Sequence, residues 1–350
     1  MTLTIETGRT SVRPMKAATP SRDDLLERLR ARPDDWISGQ SLSEALRCSR
    51  TAIWKQVQAL RRLGYAIEAR PRMGYRLDRS PNAPLPGEVR PLLTTAGSLG
   101  VEIAWLPATD STNRWLAEKA DAGAPEGFVA VADTQTAGRG RLDRAWHSPP
   151  GLNLYASILL RPDVSLDRIA SLSLLLGLAV RRAAKGLVPE IEPLIKWPND
   201  IWLGSRKLGG ILCEMRAEPD RVRHVIAGIG LNVNALEKDF PKDIRSTAVS
   251  LRLAAGRSFP RAAVLAAILN ALEPVYRAWL VHGLNPFLDE LNAADLLKGR
   301  AVVLSQGGAL LSGKAAGIAP DGALLLAGRD GTAPVYAGDV TLRSIADLRE

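Results

Sequence analysis

Three short stretches of this 350-residue chain concentrate groups able to grip anions and polar rings. Gly138-Arg139-Gly140-Arg141 lies between a strand predicted to end at Asp133 and another predicted to begin at Leu152. Glycines let backbone approach a ligand closely, and guanidinium groups clamp phosphate or carboxylate through paired hydrogen bonds. The pattern GxxxxGK[ST] is absent, and so is GxGxxG after a strand, so neither a P-loop nor a Rossmann cofactor fold is indicated. A solvated surface loop can carry the same Gly-Arg alternation, so the motif alone leaves two readings open.

Lys196-Trp197-Pro198-Asn199-Asp200 ends an apolar strand and is followed closely by Arg206-Lys207-Leu208-Gly209-Gly210-Ile211-Leu212. A lysine at a strand end can reach a carboxylate and an α-phosphate together and stabilise the charge that builds during adenylyl transfer. Asn199 and Asp200 could orient phosphates or Mg2+. A type I turn at Pro198-Asn199 capped by Asp200 explains the proline and asparagine equally well, but not the lysine. In Asp110-Ser111-Thr112-Asn113, hydroxyl and amide groups open a helix that follows a strand. Helix capping accounts for one of them; several converging there could instead read a neutral polar ring such as a ureido group.

The elements that must position these groups follow from periodicity. Residues 1–20 have no period and read as a disordered extension. Ser21 with Asp24 fits an N-cap, and Leu25, Leu26 and Leu29 form a helical stripe. A short helix over Ser41–Arg47 turns Leu42, Ala45 and Leu46 inward. After a Cys48-Ser49 turn, a longer helix buries Ile53, Val57, Leu60 and Leu63 and leaves Arg50, Thr51, Lys55, Gln58, Arg61 and Arg62 opposite. Tyr65–Leu77 alternates and turns at Arg72-Met73-Gly74, as a two-stranded wing would. Residues 21–80 therefore read as a winged helix-turn-helix, with Ser49, Arg50, Thr51, Lys55 and Gln58 as candidate DNA-facing residues. A helical protein-interaction module shares the apolar pattern but has no need of the cationic face. Pro81 to Gly87 reads as a stiff linker, extending to residue 90. Residues 91–297 alternate strand-like and helical runs, giving an α+β domain, and residues 298–343 turn to Gly-punctuated β segments, giving a small SH3-like β barrel.

Composition narrows the chemistry. Hydrophobic residues at 46%, charged residues at 24% and a mean hydropathy of -0.03 fit a globular chain. The longest apolar run, Leu172–Val180, is too short for a bilayer span of ~20 residues. The first twenty residues carry no apolar core, so no secretory signal is expected and a cytoplasmic protein is. Cys48 and Cys213 are far apart, and His147, His224 and His282 fall in unrelated segments, so a metal site held by the protein alone or a Cys/His nucleophile has little to draw on. Residues 1–80 hold 16 Lys/Arg against 9 Asp/Glu, whereas residues 81–350 hold 30 against 28. Nucleic acid, if bound, is expected at the basic N-terminal end.

Taken together and in this order, these features resemble the biotin-protein ligase family, specifically its bifunctional members that double as biotin operon repressors. The likeness runs from Ser21 to Arg343 and includes Gln135 beside the Gly-Arg loop and Gly228-Ile229-Gly230-Leu231-Asn232. The resemblance implies that biotin is held by Ser111, Thr112, Asn113, Gln135, Arg139, Gly140, Arg141 and Lys196. It implies catalytic roles for Lys196, bridging both substrates, and for Arg141. It places Gly138, Asn199, Asp200, Lys207 and Asn232 on the ATP side. The loop Asn234–Thr247, with Phe240 as its large aromatic, either folds over adenine or is plain surface. The chain departs from the family at Leu142-Asp143, where a further Arg-Gly is usual, a difference that bears on loop motion more than on chemistry.

What the resemblance implies as function is activation of biotin with ATP and Mg2+ to biotinyl-5′-AMP, then transfer to a lysine of a biotin carboxyl carrier protein. It also implies operator DNA and a homodimer as partners. A carboxylate nucleophile is already ionised at neutral pH, so scarce His and Cys are no obstacle. Two rivals stay open at this level: a lipoate-protein ligase, and a transcription factor that senses biotin without transferring it.

Overall fold

The computed structural model describes residues 22–94, 97–218, 221–306, 309–329 and 331–342. The predicted N-terminal extension, the Ser21 cap and Arg343 lie outside the described residues. The chain divides into two units at Pro81/Asn82.

In the first unit, α1 (Arg22–Arg30), α2 (Gly39–Ala45) and α3 (Arg50–Arg62) precede an antiparallel pair, β1 (Ala66–Arg70) and β2 (Gly74–Arg79). Leu25, Leu26, Leu29, Leu42, Ile53, Val57 and Leu60 are its buried apolar residues on the helices. α2 begins two residues before the predicted Ser41, because the Ser38 side chain accepts from the Ser41 N–H and caps the helix there. Ala45, predicted to face inward, is exposed. Arg61 is also not a free surface cation: its guanidinium donates twice to the Ile67 carbonyl and ties α3 to the wing.

The second unit is built on a seven-stranded sheet. In chain order its strands are β3 (Ile103–Leu106), β4 (Val129–Ala132), β5 (Leu154–Leu160), β6 (Pro193–Lys196), β7 (Asp200–Leu203), β8 (Arg206–Ala217) and β9 (Val222–Leu231), arranged in space as β3-β4-β5-β9-β8-β7-β6. Only β3 and β4 are parallel. Alternation along each strand sends every second side chain to one face. Val129, Val131, Ile158, Leu160, Ala227 and Ile229 meet α7 (Leu172–Leu187) and α9 (Arg261–His282). Leu159, Ile226 and Ala130 on the other face pack under α5 (Thr112–Asp121).

α9 is long and apolar enough to cross a membrane by length and composition, yet twelve of its residues are buried, among them Ile268, Leu272 and Trp279. They are absorbed by the core beside α7. Short helices complete the unit: α4 (Pro86–Val89), α6 (Leu166–Ile169), α8 (Leu251–Ala255) and α10 (Leu288–Ala294). The segment predicted as a stiff linker is not one over its whole length. Leu85 and Val89 are buried, and Asn82 receives two hydrogen bonds from Arg261. Apolar side chains inside a Pro-rich run still find the core, which composition alone does not show.

Five antiparallel strands follow, β10 (Ala301–Gln306), β11 (Ala309–Ile318), β12 (Leu324–Gly328), β13 (Gly331–Val335) and β14 (Asp339–Leu342), in the order β13-β12-β11-β10-β14. They enclose Val302, Leu304, Ala315, Leu324, Val335 and Val340.

Candidate active site

A cavity of about 270 Å3 opens on the α5 face of the sheet. Its floor begins at the N-terminus of α5. Ser111 takes the N-cap position by backbone, but its hydroxyl makes no capping bond. The Asp110 carboxylate accepts the Ser111 N–H at 2.6 Å instead and is paired with Arg114. Burial opposes ionisation of Asp110, but these donors outweigh it and hold the carboxyl below its ordinary value. The capping explanation for Ser111 and Thr112 is thereby displaced, and both line the cavity with Asn113 and Gln135. Thr112 Oγ1 donates to Gln135 Oε1 at 3.2 Å, and Asn113 Oδ1 lies 2.6 Å from the Ser157 hydroxyl.

The back wall is β8 and β9, where two glycines leave room for side chains crossing the sheet. A Cβ on Gly228 would overlap the Asn113 carboxamide, and one on Gly230 would come within 2.5 Å of the Trp146 ring. Trp146, which the sequence reading passed over, is therefore laid directly on β9. Its position five residues after Arg141 was the available signal. Tyr155 also lines this wall, and burial drives its phenol well above the ordinary range.

The Gly-Arg segment forms a small hairpin, with the Gly140 N–H on the Arg144 carbonyl at 2.7 Å and an isolated bridge between Arg139 and Ala145. Arg139, Gly140, Arg141 and Leu142 line the cavity. Gly138 is not among the lining residues and shapes the loop base, its carbonyl accepting from Trp146 N–H at 2.9 Å. Arg141 reaches the Asn199 carboxamide at 3.4 Å and the Gly338 carbonyl, between β13 and β14, at 3.3 Å. Leu142 and Asp143 both have positive φ, 54° and 55°, and Leu142 is 69% exposed. A leucine pays for that conformation where glycine would not.

Asn199, Asp200, Lys207 and Asn232 all line the cavity. Lys207 Nζ lies 2.7 Å from Asp200 Oδ1 and 5.4 Å from the centroid of the Trp146 ring. The structure sets Lys196, expected to bridge both substrates, apart from the cavity lining. Lys196 is in register with Asp200 across the β6/β7 hairpin, so alternation puts it on the correct face. But β6 is the outermost strand of the sheet, two strands from β8, and the Lys196 ammonium lies over the Trp202 ring at 5.3 Å. It is not a lining residue, whereas Lys207 is. Phe240 is buried, lines the cavity and packs with Ala235 and Ala248, which decides its loop against plain surface.

In the first unit, the Ser49 hydroxyl accepts from the Ala52 N–H and caps α3. Arg50, Thr51 and Lys55 are exposed along that helix, and Gln58 is half-buried. Trp54, absent from the sequence expectation, stands 53% exposed among them. On the wing, Arg70 and Arg76 lie over the Trp36 ring at 4.7 and 5.0 Å.

With this geometry in view, comparison with known proteins is direct. Residues 105–232 match the Biotin/lipoate A/B protein ligase family, residues 21–76 an HTH domain, and residues 299–343 the Biotin protein ligase C terminal domain. The Bifunctional ligase/repressor BirA of Bacillus subtilis (strain 168) is 44% identical over 265 residues, 76% of this chain and 81% of that protein. Its counterpart in Escherichia coli (strain K12) is 32% identical over 274 residues, 78% of this chain and 82% of that protein. A solved biotin protein ligase from Aquifex aeolicus, in complex with biotin and ATP, superposes with a TM-score of 0.61 at 31% identity, covering 69% of this chain and 99% of that one. The chain belongs to the biotin protein ligase family, in its bifunctional ligase/repressor branch.

Proposed function

We propose that the cavity joins biotin to ATP and passes the biotinyl group to a lysine of a carrier protein. The observation that carries this reading is the Lys207 ammonium, held by Asp200 and beside Trp146, lining one cavity with the neutral polar Ser111, Thr112, Asn113 and Gln135 and with Arg139 and Arg141. Ser111, Thr112, Asn113 and Gln135 suit a neutral ureido ring. Lys207 suits the point where a carboxylate meets an α-phosphate. Asn199 and Asn232 on one side, with Trp146 and Phe240 as flat apolar surfaces, suit a nucleotide.

The biotin carboxylate attacks the α-phosphorus, a new P–O bond forms, and pyrophosphate leaves with the electrons of the broken P–O bond. The acceptor amine then attacks the acyl carbon, AMP leaves, and the amine gives up its proton. Asp200, the one carboxylate among the described lining residues, would face Mg2+ bound with ATP, which would offset phosphate charge there. Catalysis by this chain consists of positioning, charge stabilisation by Lys207 and Arg141, and exclusion of water from the anhydride by the Gly-Arg loop.

A lipoate ligase would place an apolar dithiolane against that polar floor. A sensor that transfers nothing would have no use for Lys207 between the two substrate halves. For the DNA-binding domain proposed over residues 21–80, the exposed Arg50, Thr51, Trp54 and Lys55 on a capped helix support major-groove binding to operator DNA. A two-fold dimer suits a palindromic site, and a cytoplasmic location suits both carrier protein and operator.

ATP-pyrophosphate exchange by the purified protein with biotin, lipoate or no added acid tests the reading. Exchange that requires biotin supports it; exchange with lipoate alone selects the rival ligase, and no exchange selects the sensor.

A further inference from the structure

Glu214 follows Gly210 and Leu212 on the cavity face of β8, because alternate strand residues share a face. Unlike them, it is not a lining residue. Its carboxylate is divided between two residues that are. Oε2 accepts from Asn113 Nδ2 at 2.6 Å, and Oε1 accepts from Arg139 Nη2 at 2.8 Å. Asn113 is held on its remaining sides by the Leu212 carbonyl at 3.2 Å and by Ser157. Ser157 Oγ lies 2.7 Å from Thr112 Oγ1, and the Thr112 backbone N–H donates to Gln135 Oε1 at 2.9 Å. A continuous polar chain thus runs from Gln135 through Thr112, Ser157, Asn113 and Glu214 to Arg139.

Both ends of this chain belong to one loop. Gln135 and Arg139 are four residues apart, so the loop is fastened to the cavity floor at two points. The Gln135 fastening uses neutral hydrogen bonds. The Arg139 fastening is charge-assisted, and such bonds are about twice as strong as neutral ones. Arg139 and Glu214 are each 36% exposed, so the pair is open to screening by salt.

We propose that Glu214 is a positioning residue for the ligase reaction: it clips Arg139 of the Gly-Arg loop to Asn113, so that loop closure and the orientation of the ligand-facing carboxamide are set together. The inference rests on the ligase reading above and deepens it. A ligand held by Asn113 and Thr112 stiffens the floor end of the clip, and opening the loop must break the Arg139 bond. Glu214 then governs how long the acyl-adenylate stays enclosed rather than how fast it forms.

The experiment uses the full-length chain and its Glu214→Gln, Arg139→Gln and double variants, with labelled biotin and ATP in single turnover. Rates of acyl-adenylate formation and of its release into a chase are followed at low and high salt. In Glu214→Gln, formation should stay within about twofold of native while release speeds about five- to tenfold, as loss of one partly exposed charged bond implies. Arg139→Gln should speed release comparably, and the double variant should release no faster than the faster single one. Salt should accelerate release from the native chain and leave the variants nearly unchanged. Native-like release from a folded Glu214→Gln, or multiplied effects in the double variant, would overturn the clip; Arg139→Gln keeps the test open if Glu214→Gln does not fold. A native chain that forms no adenylate from biotin overturns the ligase reading itself, a result distinct from failure of the clip.

Discussion

Lys207 on β8 and Asp200 on β7 meet across neighbouring strands, Nζ to Oδ1 at 2.7 Å, with the Trp146 ring beside the ammonium. The lysine is thus aimed into the cavity by groups on two other segments. Lys196, which stands at the strand end where the sequence draws attention, is held over Trp202 instead.

The two lysines should therefore separate cleanly. Lys207→Ala is expected to lower biotin-dependent pyrophosphate exchange by about 10²- to 10³-fold, the usual cost of one preorganised charge-stabilising group. Lys196→Ala should stay within about threefold of native, because its ammonium lies over the Trp202 ring and is not part of the cavity lining. The reverse ranking would return the role to Lys196.

Gly230 has no room for a side chain. Gly230→Ala must displace Trp146, and with it the wall against which Lys207 is held. The KM for ATP should rise about tenfold or more, since misplacement on the order of 1 Å at a reacting site is costly. Steady-state kinetics with ATP varied will show it; an unchanged KM would mean that the ring yields freely.

Asp295 predicts a pH dependence of stability. The carboxyl is buried, Oδ1 accepts the Leu297 N–H, and Oδ2 has no hydrogen-bond partner among the described residues. Burial raises it from 3.8 to about 6, against the backbone bond and the charges of Lys298 and Arg300. Because the folded value lies above the unfolded one, the folded state binds the proton more tightly. Stability from this group is present below about pH 4 and lost as pH rises through about 6, by ~3 kcal/mol at most. Asp295→Asn keeps the acceptor for Leu297 and removes the charge. Denaturant unfolding should show its advantage over the native chain growing between pH 4 and 6 and constant above.

On α3, Lys55 and Trp54 should fail differently. Lys55→Ala is expected to weaken binding to all duplexes alike and to reduce the slope of log K against log salt by about one. Trp54→Ala removes apolar contact without charge, so the salt slope should hold while preference for an operator over random duplex falls about fivefold to a hundredfold. Equal losses on both duplexes for Trp54→Ala would make it a backbone contact.

Much of the architecture is readable along the chain because it depends on local period. The stripe of Ile53, Val57 and Leu60 in α3, the alternation into the wing, and the apolar run that becomes α7 each answer to residues within two turns or one strand. The Gly-Arg loop and the Ser111–Asn113 start also stand out, since residue type alone carries their chemistry.

What sequence could not decide is which side chains share a space. Lys196 and Lys207 are equally plausible as text; strand order, with β6 at the edge and β8 beside β9, puts only the second in the cavity. Trp146 and Tyr155 enter the site, with Ser157 and Glu214 behind its lining, because β5, β8, β9 and the Gly-Arg loop come together from up to about a hundred residues apart. A hydrogen bond such as Asn113 to Glu214 leaves no mark on either neighbourhood in sequence, because it is a contact across the sheet that only the pairing register creates.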